Sequence, residues 1–270
     1  MLNGAKHLNA DSFILQQRRH MPKLVIFSGA GLSAESGLET FRDADGLWAK
    51  YDPMDVCNYQ NWEQNFDLVH HFYNERRKEL AKVQPNAMHN YLAQFERETK
   101  GKVEVIHLTQ NVDDLLERAG ATNIIHLHGK LSELICPKCG NIETIGYVAF
   151  DKSPCRKCGN TKVKPQIVFF YEQAPEYEKL HRIFGELEKE DCVLVVGTSG
   201  RVVNISSIIA FVENFGIEIG LKILNNLEPS ESIDESLFDK IFYAKASEAI
   251  DKIDNVFKEF WNLKGGNYGN

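Results

Sequence analysis

Four of the six cysteines in this 270-residue chain fall in two tight pairs, Cys136-Pro-Lys-Cys139 and Cys155-Arg-Lys-Cys158, with fifteen residues between them. Each pair presents two thiolates from one turn, and two such turns at this spacing make a tetrahedral zinc pattern. Gly140 and Gly159 follow at once, where the end of each turn needs a residue free to adopt positive φ. Two disulfides are the alternative, disfavoured in the cytosolic chain read below. With Cys136, Cys139, Cys155 and Cys158 all ligating, no position stays open for water, so the metal is expected to hold the fold and not to react. Cys57 and Cys192 have no such spacing and are bystanders.

Around this module the hydrophobic pattern alternates between strand and helix. Lys23–Ser28, Val103–Leu108, Ile124–Leu127, Cys192–Val196 and Ile219–Leu224 are short apolar runs of the kind found in strands buried on both faces. Helical periodicity covers Trp62–Val83, Met88–Thr99, Val112–Ala119, Glu176–Lys189 and Ser247–Trp261. The alternation predicts an α/β fold: a Rossmann-like, doubly wound parallel sheet. Two segments break the rhythm, a zinc module over about 134–165 and a helical cap over about 43–85, together expected to form a smaller lobe. Residues 1–20 are read as an appendage, 21–263 as the one main domain with these two insertions, and 264–270 as a frayed tail.

The chain carries 38 acidic against 31 basic residues, a formal charge of −7, and so offers no general field for nucleic acid or anionic lipid. No apolar run approaches the ~18 residues of a membrane span, and the N-terminus lacks the pattern of a secretory signal. A cytoplasmic monomer, bound neither to membrane nor to nucleic acid, is expected.

Chemistry concentrates where the strands end. Gly29-Ala30-Gly31 follows the first strand and opens a helix, as in a phosphate cradle, although the glycine spacing departs from the usual dinucleotide fingerprint and a simple tight turn would read the same. Gln110-Asn111-Val112-Asp113, Gly197-Thr198-Ser199-Gly200, Asn225-Asn226-Leu227-Glu228 and His126-Leu127-His128-Gly129 follow other strands. The carboxyl ends of strands in an open α/β sheet line the ligand crevice, so these turns are expected to converge.

Those residues carry a resemblance. GAGLSAESGLETFRDADGLW resembles the GAGxSxxSGxPxFRxxxGLW motif of the sirtuins, the NAD-dependent protein deacylases. TQNVDDLLERAG resembles TQNxDxLHxxAG, HLHG the catalytic HG motif, KPQIVFFYE the RPxIVxFGE segment and GTSGRV the GTSLxV turn. With NLE and the zinc pairs in order, the likeness runs from about Lys23 to Phe257. It implies an enzyme that consumes NAD as co-substrate, binds one structural zinc and acts on an acyl-lysine protein or peptide.

The roles it implies follow residue by residue. Gly29, Ala30, Gly31, Phe41, Arg42 and Trp48 would hold the NAD phosphates and nicotinamide ribose. Gln110, Asn111, Val112 and Asp113 would line the ribose and nicotinamide pocket. Gly197, Thr198, Ser199, Asn226, Leu227, Glu228 and Ala246 would hold the adenosine half. His128 and Asn111 would be catalytic, with His128 the general base, a role suited to a side chain that titrates near neutrality. His126, two residues earlier, is read as a satisfied core histidine.

Tyr73 and Arg76 lie at i and i+3, one helix face, and match a pattern of sirtuins that remove succinyl and malonyl groups. A guanidinium and a phenol can grip a carboxylate; the bland alternative is a solvated face of Arg76, Arg77 and Lys78. Thr40 also resembles that subgroup, and Val168 and Phe170 would complete the substrate side. Some deacetylase activity is expected too. Glu39, Leu116, Lys130, Asn204 and Tyr171 depart from the family pattern. Of these, Tyr171 replaces the glycine of the FGE turn and is expected to reshape the peptide groove. That keeps two other readings open: an NAD glycohydrolase or ADP-ribosyltransferase on the same fold, or a non-catalytic NAD-binding module.

Overall fold

A computed structural model describes residues 21–38 and 50–263. The first strand, β1 (Lys23–Ser28), has every residue after Lys23 buried. Alternate side chains enter opposite cores, as a strand's period of two requires. Leu24 and Ile26 pack with Leu194 and Val196 of β7 (Cys192–Val196) under α4 (Ala87–Glu98) and α8 (Ala246–Phe260). Val25 and Phe27 pack with Val193 and Val195 under α6 (Tyr177–Gly185) and α7 (Ile205–Asn214). Helices therefore cover both faces of the sheet, the doubly wound arrangement expected.

Adding β2 (Glu104–Thr109), β3 (Ile124–His126), β8 (Leu221–Asn226) and β9 (Lys240–Tyr243) completes a six-stranded sheet ordered β3-β2-β1-β7-β8-β9. All five of its pairings are parallel. The strand order reverses between β1 and β7, which opens a crevice beyond their carboxyl ends. β1 and β7 have the predicted bounds, whereas β8 starts two residues later than Ile219. β9 and α7 carry no assignment from the sequence. Asn204, one of the departures from the family pattern, caps α7 by accepting from Ser207 N at 2.9 Å.

The smaller lobe holds an antiparallel sheet, β5 (Ile142–Thr144), β4 (Gly129–Ile135) and β6 (Lys164–Ile167), with the four cysteines beside it. Of the helical cap over 43–85, residues 50–85 are described and include α2 (Pro53–Val56) and α3 (Phe66–Leu80). The appendage 1–20, residues 39–49 and the tail 264–270 lie outside the described residues. No helix among the described residues is long and apolar enough to cross a membrane.

α3 buries Val69, Phe72, Tyr73, Arg77 and Leu80 as one stripe at helical spacing. Arg77 is therefore no part of a solvated face. Its Nε donates to the Leu131 carbonyl at 2.8 Å and a terminal nitrogen to Asn74 Oδ1 at 2.9 Å, tying the cap to β4. Burial draws its guanidinium down to about 10.

Two buried histidines make stability pH-dependent. His70 Nε2 donates to the Val163 carbonyl at 2.8 Å, while Nδ1 is buried without a partner between Phe66 and Phe150. His89 Nδ1 accepts from Asn86 N at 3.3 Å in the capping box of α4. Burial lowers each to about 4. The unfolded chain takes up protons at both below about pH 6.5, while the folded chain refuses them until near pH 4. Stability is complete above pH 6.5 and falls with pH between these limits, by roughly 3 kcal/mol per histidine at pH 4. Thermal melts from pH 7.5 to 4.5 should show a steadily falling midpoint below 6.5; a flat midpoint would contradict the assignment.

Candidate active site

The turns at the carboxyl ends of β1, β2, β7 and β8 are bound to one another. Gly31 N donates to the Gly197 carbonyl at 2.8 Å. A Cβ on Gly31 would lie 2.7 Å from Gly197 Cα, and one on Gly197, at φ +63°, would lie 2.3 Å from Leu32 N. These glycines thus let two turns interlock, a requirement separate from any ligand. Gln110 Nε2 donates to Thr198 Oγ1 at 3.0 Å. The Asn226 amide accepts from Thr198 N at 3.0 Å and donates to the Thr198 carbonyl at 2.8 Å. Ala246 opens α8 close by, where Ala244 N donates to the Asn226 carbonyl at 3.0 Å. Ser199 is tied by its carbonyl to Ser230 Oγ at 2.7 Å. Leu227 and Glu228 are exposed.

Ser33, on the short helix α1 (Gly31–Ala34), organises the next turn. Its hydroxyl accepts from Asn111 Nδ2 at 3.1 Å and donates to Asp113 Oδ2 at 2.9 Å. Burial raises the Asp113 carboxyl, against the pull of the Ser33 hydroxyl and Leu115 N–H. Val112 packs against the core of the smaller lobe.

His128 stands where the chain leaves β3 for β4, followed by Gly129 at φ +83°. Its Nδ1 lies 3.1 Å from the Gln110 carbonyl and its Nε2 2.9 Å from the Tyr177 hydroxyl. A carbonyl only accepts, so Nδ1 carries the proton and Nε2 is the acceptor. Burial holds the imidazole below its ordinary value, partly offset by the Gln110 bond, so it is neutral at physiological pH. That is the state a general base requires.

His126 has a different setting. Its Nδ1 faces the Asn111 carbonyl at 2.9 Å and its Nε2 faces Glu117 Oε1 at 2.8 Å, so both ring nitrogens are already engaged within the fold. Lys130 Nζ binds the same carboxylate oxygen at 2.9 Å. Burial would raise Glu117, but His126 and Lys130 bring it down to about 2. Lys130 is thus anchored to α5 (Leu115–Ala119) through Glu117, and Leu116 is buried in the main core.

Of the residues assigned from sequence to the substrate, Val168 donates its N–H to the His128 carbonyl at 2.9 Å and Phe170 its N–H to the Cys57 carbonyl at 2.9 Å. Tyr73 is buried, stacked on Phe169 at 5.7 Å, with its hydroxyl bonded to the Cys57 thiol. Arg76 is half-buried on the same helix. Tyr171 has φ +66° and is 69% exposed; it adopts the left-handed backbone of a glycine, at a cost of about 1–2 kcal/mol. Phe41, Arg42 and Trp48, with Glu39 and Thr40, fall outside the described residues. Sequence reasoning missed Ser33, Glu117 and Tyr177. Ser33 stood inside the glycine motif, whereas Tyr177 is 49 residues from its partner with no pattern linking them.

The four cysteine sulfurs lie within 4.8 Å of one another, with Cys136–Cys158 at 3.6 Å and Cys139–Cys155 at 3.7 Å. A tetrahedron with Zn–S of about 2.3 Å has edges near 3.8 Å, so the thiols fit a structural zinc, whereas a disulfide needs about 2.05 Å. The two turns repeat each other. Cys136 N and Cys155 N bind the carbonyls of Asn141 and Asn160, and Gly140 and Gly159 close each turn at positive φ. Cys57 and Cys192 are buried outside this cluster.

Comparison with known proteins places this geometry. The chain is 58% identical over 254 residues to the NAD-dependent protein deacylase of Helicobacter hepaticus, covering 89% of this chain and 99% of that one. It is 42% identical over 247 residues to the NAD-dependent protein deacylase of Campylobacter jejuni, covering 92% and 100%. The crystal structure of a Sir2 homolog–NAD complex superposes with a TM-score of 0.75 at 32% identity, covering 96% and 98%. The Sir2 family model matches residues 29–204. With that match and relatives of this identity aligned over most of its length, the chain belongs to the Sir2 family.

Proposed function

We propose that this chain is an NAD-dependent protein-lysine deacylase. The observation that carries the reading is the neutral His128, its Nε2 an acceptor, beside the joined strand-end turns. The relatives from Helicobacter hepaticus and Campylobacter jejuni bear that activity in their names, and the solved homolog is an NAD complex. NAD lies across the β1/β7 reversal. Gly29, Ala30 and Gly31 take its phosphates; Gln110, Asn111, Val112 and Asp113 take the nicotinamide ribose; Gly197, Thr198, Ser199, Asn226, Leu227, Glu228 and Ala246 take the adenosine half. Phe41, Arg42 and Trp48 keep the roles assigned from sequence.

The acyl oxygen attacks the ribose carbon as the bond to nicotinamide breaks. His128 then takes the proton of a ribose hydroxyl, and the resulting alkoxide attacks the acyl carbon. The lysine amine leaves with that proton, water adds to the acyl carbon of the cyclic cation left behind and gives up a proton, and the acyl group stays on ADP-ribose as an ester. Asn111, fixed by Ser33, orients the reacting ribose.

The finer reading is a preference for acidic acyl chains, with Tyr73 and Arg76 holding the distal carboxylate beside Val168 and Phe170. Burial keeps the Tyr73 phenol and the Cys57 thiol protonated. The thiol can therefore donate to the phenol oxygen while the phenol donates to a carboxylate. Arg77 is committed to Leu131 and Asn74; Arg76, three residues after Tyr73 on one helix face, is the cation we assign to substrate. With NAD and matched acetyl-, malonyl- and succinyl-lysine peptides, Arg76→Met should lower succinyl kcat/KM by about 10–100-fold, the value of hydrogen bonds to a charged group. Acetyl turnover should change less than about threefold. Equal losses on both substrates would remove Arg76 from the acyl pocket.

A further inference from the structure

The Tyr177 hydroxyl lies 2.9 Å from His128 Nε2, the one lone pair of that ring available to take a proton. With Nδ1–H committed to the Gln110 carbonyl, the phenol must be the donor. Burial raises the Tyr177 phenol, so it keeps its hydrogen wherever the imidazole is neutral. The rings are 6.0 Å apart between centroids. Tyr177 is the first residue of α6, a helix packed by Leu180 and Phe184 against the sheet, so the hydroxyl is presented from a fixed element.

The other polar neighbours are few. Gln110 reaches His128 from the end of β2, and Val168 N reaches only its main-chain carbonyl. The charged pair Glu117 and Lys130 is engaged with His126, and Asp113 with Ser33.

Resting on the deacylase reading above, we propose that Tyr177 is a positioning residue for the base. Its hydroxyl occupies, in the free enzyme, the place of the ribose hydroxyl that His128 deprotonates, and it yields that bond when NAD binds. The contact has two consequences of opposite sign. It holds the imidazole in the productive tautomer with the lone pair facing the site, and it competes with NAD for that lone pair. A donor at Nε2 also favours the neutral ring.

Tyr177→Phe tests this, because it keeps the ring and removes only the hydroxyl. In the ligand-free protein, an NMR titration of His128 should place its pKa about half a unit to one unit higher in the variant, the equivalent of one neutral hydrogen bond. Direct titration with NAD should give a Kd about 2–10-fold lower, with kcat within about threefold of the parent. An unmoved His128 titration and an unmoved NAD affinity would reduce Tyr177 to a packing residue. A collapse of kcat at unchanged NAD affinity would overturn the proposal as well, by putting the phenol in the chemistry. If the parent protein releases no nicotinamide, the deacylase reading fails, and the His128 titration still decides whether the Tyr177 bond exists.

Discussion

His128→Ala lowers kcat for deacylation by about 10²–10⁴-fold, the range of a positioned general base, and leaves NAD affinity within a few fold. The interlocked glycine turns, Gln110–Thr198 and Asn226–Thr198 do not pass through the imidazole, so the proposed NAD cradle survives its removal. In the parent enzyme the pH profile carries the same signature. Burial lowers the His128 pKa, so the neutral base persists below the usual titration range. The acid limb of kcat/KM should therefore have its midpoint below pH 6.5, and His128→Ala should lack that limb. A variant of near-parental kcat, or a limb unchanged in it, would assign the base elsewhere.

Metal removal has the second large effect. The zinc end of the small lobe has Leu134, Phe150 and Val163 as its buried apolar side chains besides Cys136 and Cys155. Three such side chains contribute about 5–9 kcal/mol. A zinc held by the four thiols would contribute about 10–16 kcal/mol, as in small modules, and so would be the stronger hold on this end. Chelation, or Cys155→Ala, should unfold this lobe and abolish activity, because β4 and β6 flank His128 and Val168 binds its carbonyl. An unchanged melt and circular dichroism after verified loss of metal would show that the thiols do not hold the fold.

Much of this was legible in the sequence for definite reasons. β1 and β7 are buried on both faces and read as continuous apolar runs, so their bounds could be fixed. β9 escaped because Lys240–Tyr243 is an edge strand of four residues with exposed ends. α7 escaped because Ile205–Asn214 has little polar face to set a period. The strand-end turns were found because sequence order places them at one edge of a parallel sheet. What joins them was not, since Ser33 to Asn111, Gln110 to Thr198 and His128 to Tyr177 are long-range bonds between single side chains. Arg77 had a signal that was passed over: it stands four residues after Tyr73 and eight after Val69, on their buried stripe. A charge run alone did not reveal which of two adjacent arginines was inside.

The central claim is that NAD cleavage and lysine deacylation are one coupled event at His128. Nicotinamide and free lysine amine should be counted together in a reaction containing the protein, NAD and an acetyl-lysine peptide. Equal amounts of both are expected, and His128→Ala should turn over neither beyond a first nicotinamide per enzyme and a small residual rate. Nicotinamide accumulating while the peptide stays acylated would contradict it and make the chain a glycohydrolase, and bound NAD with neither product would leave a nucleotide-binding module.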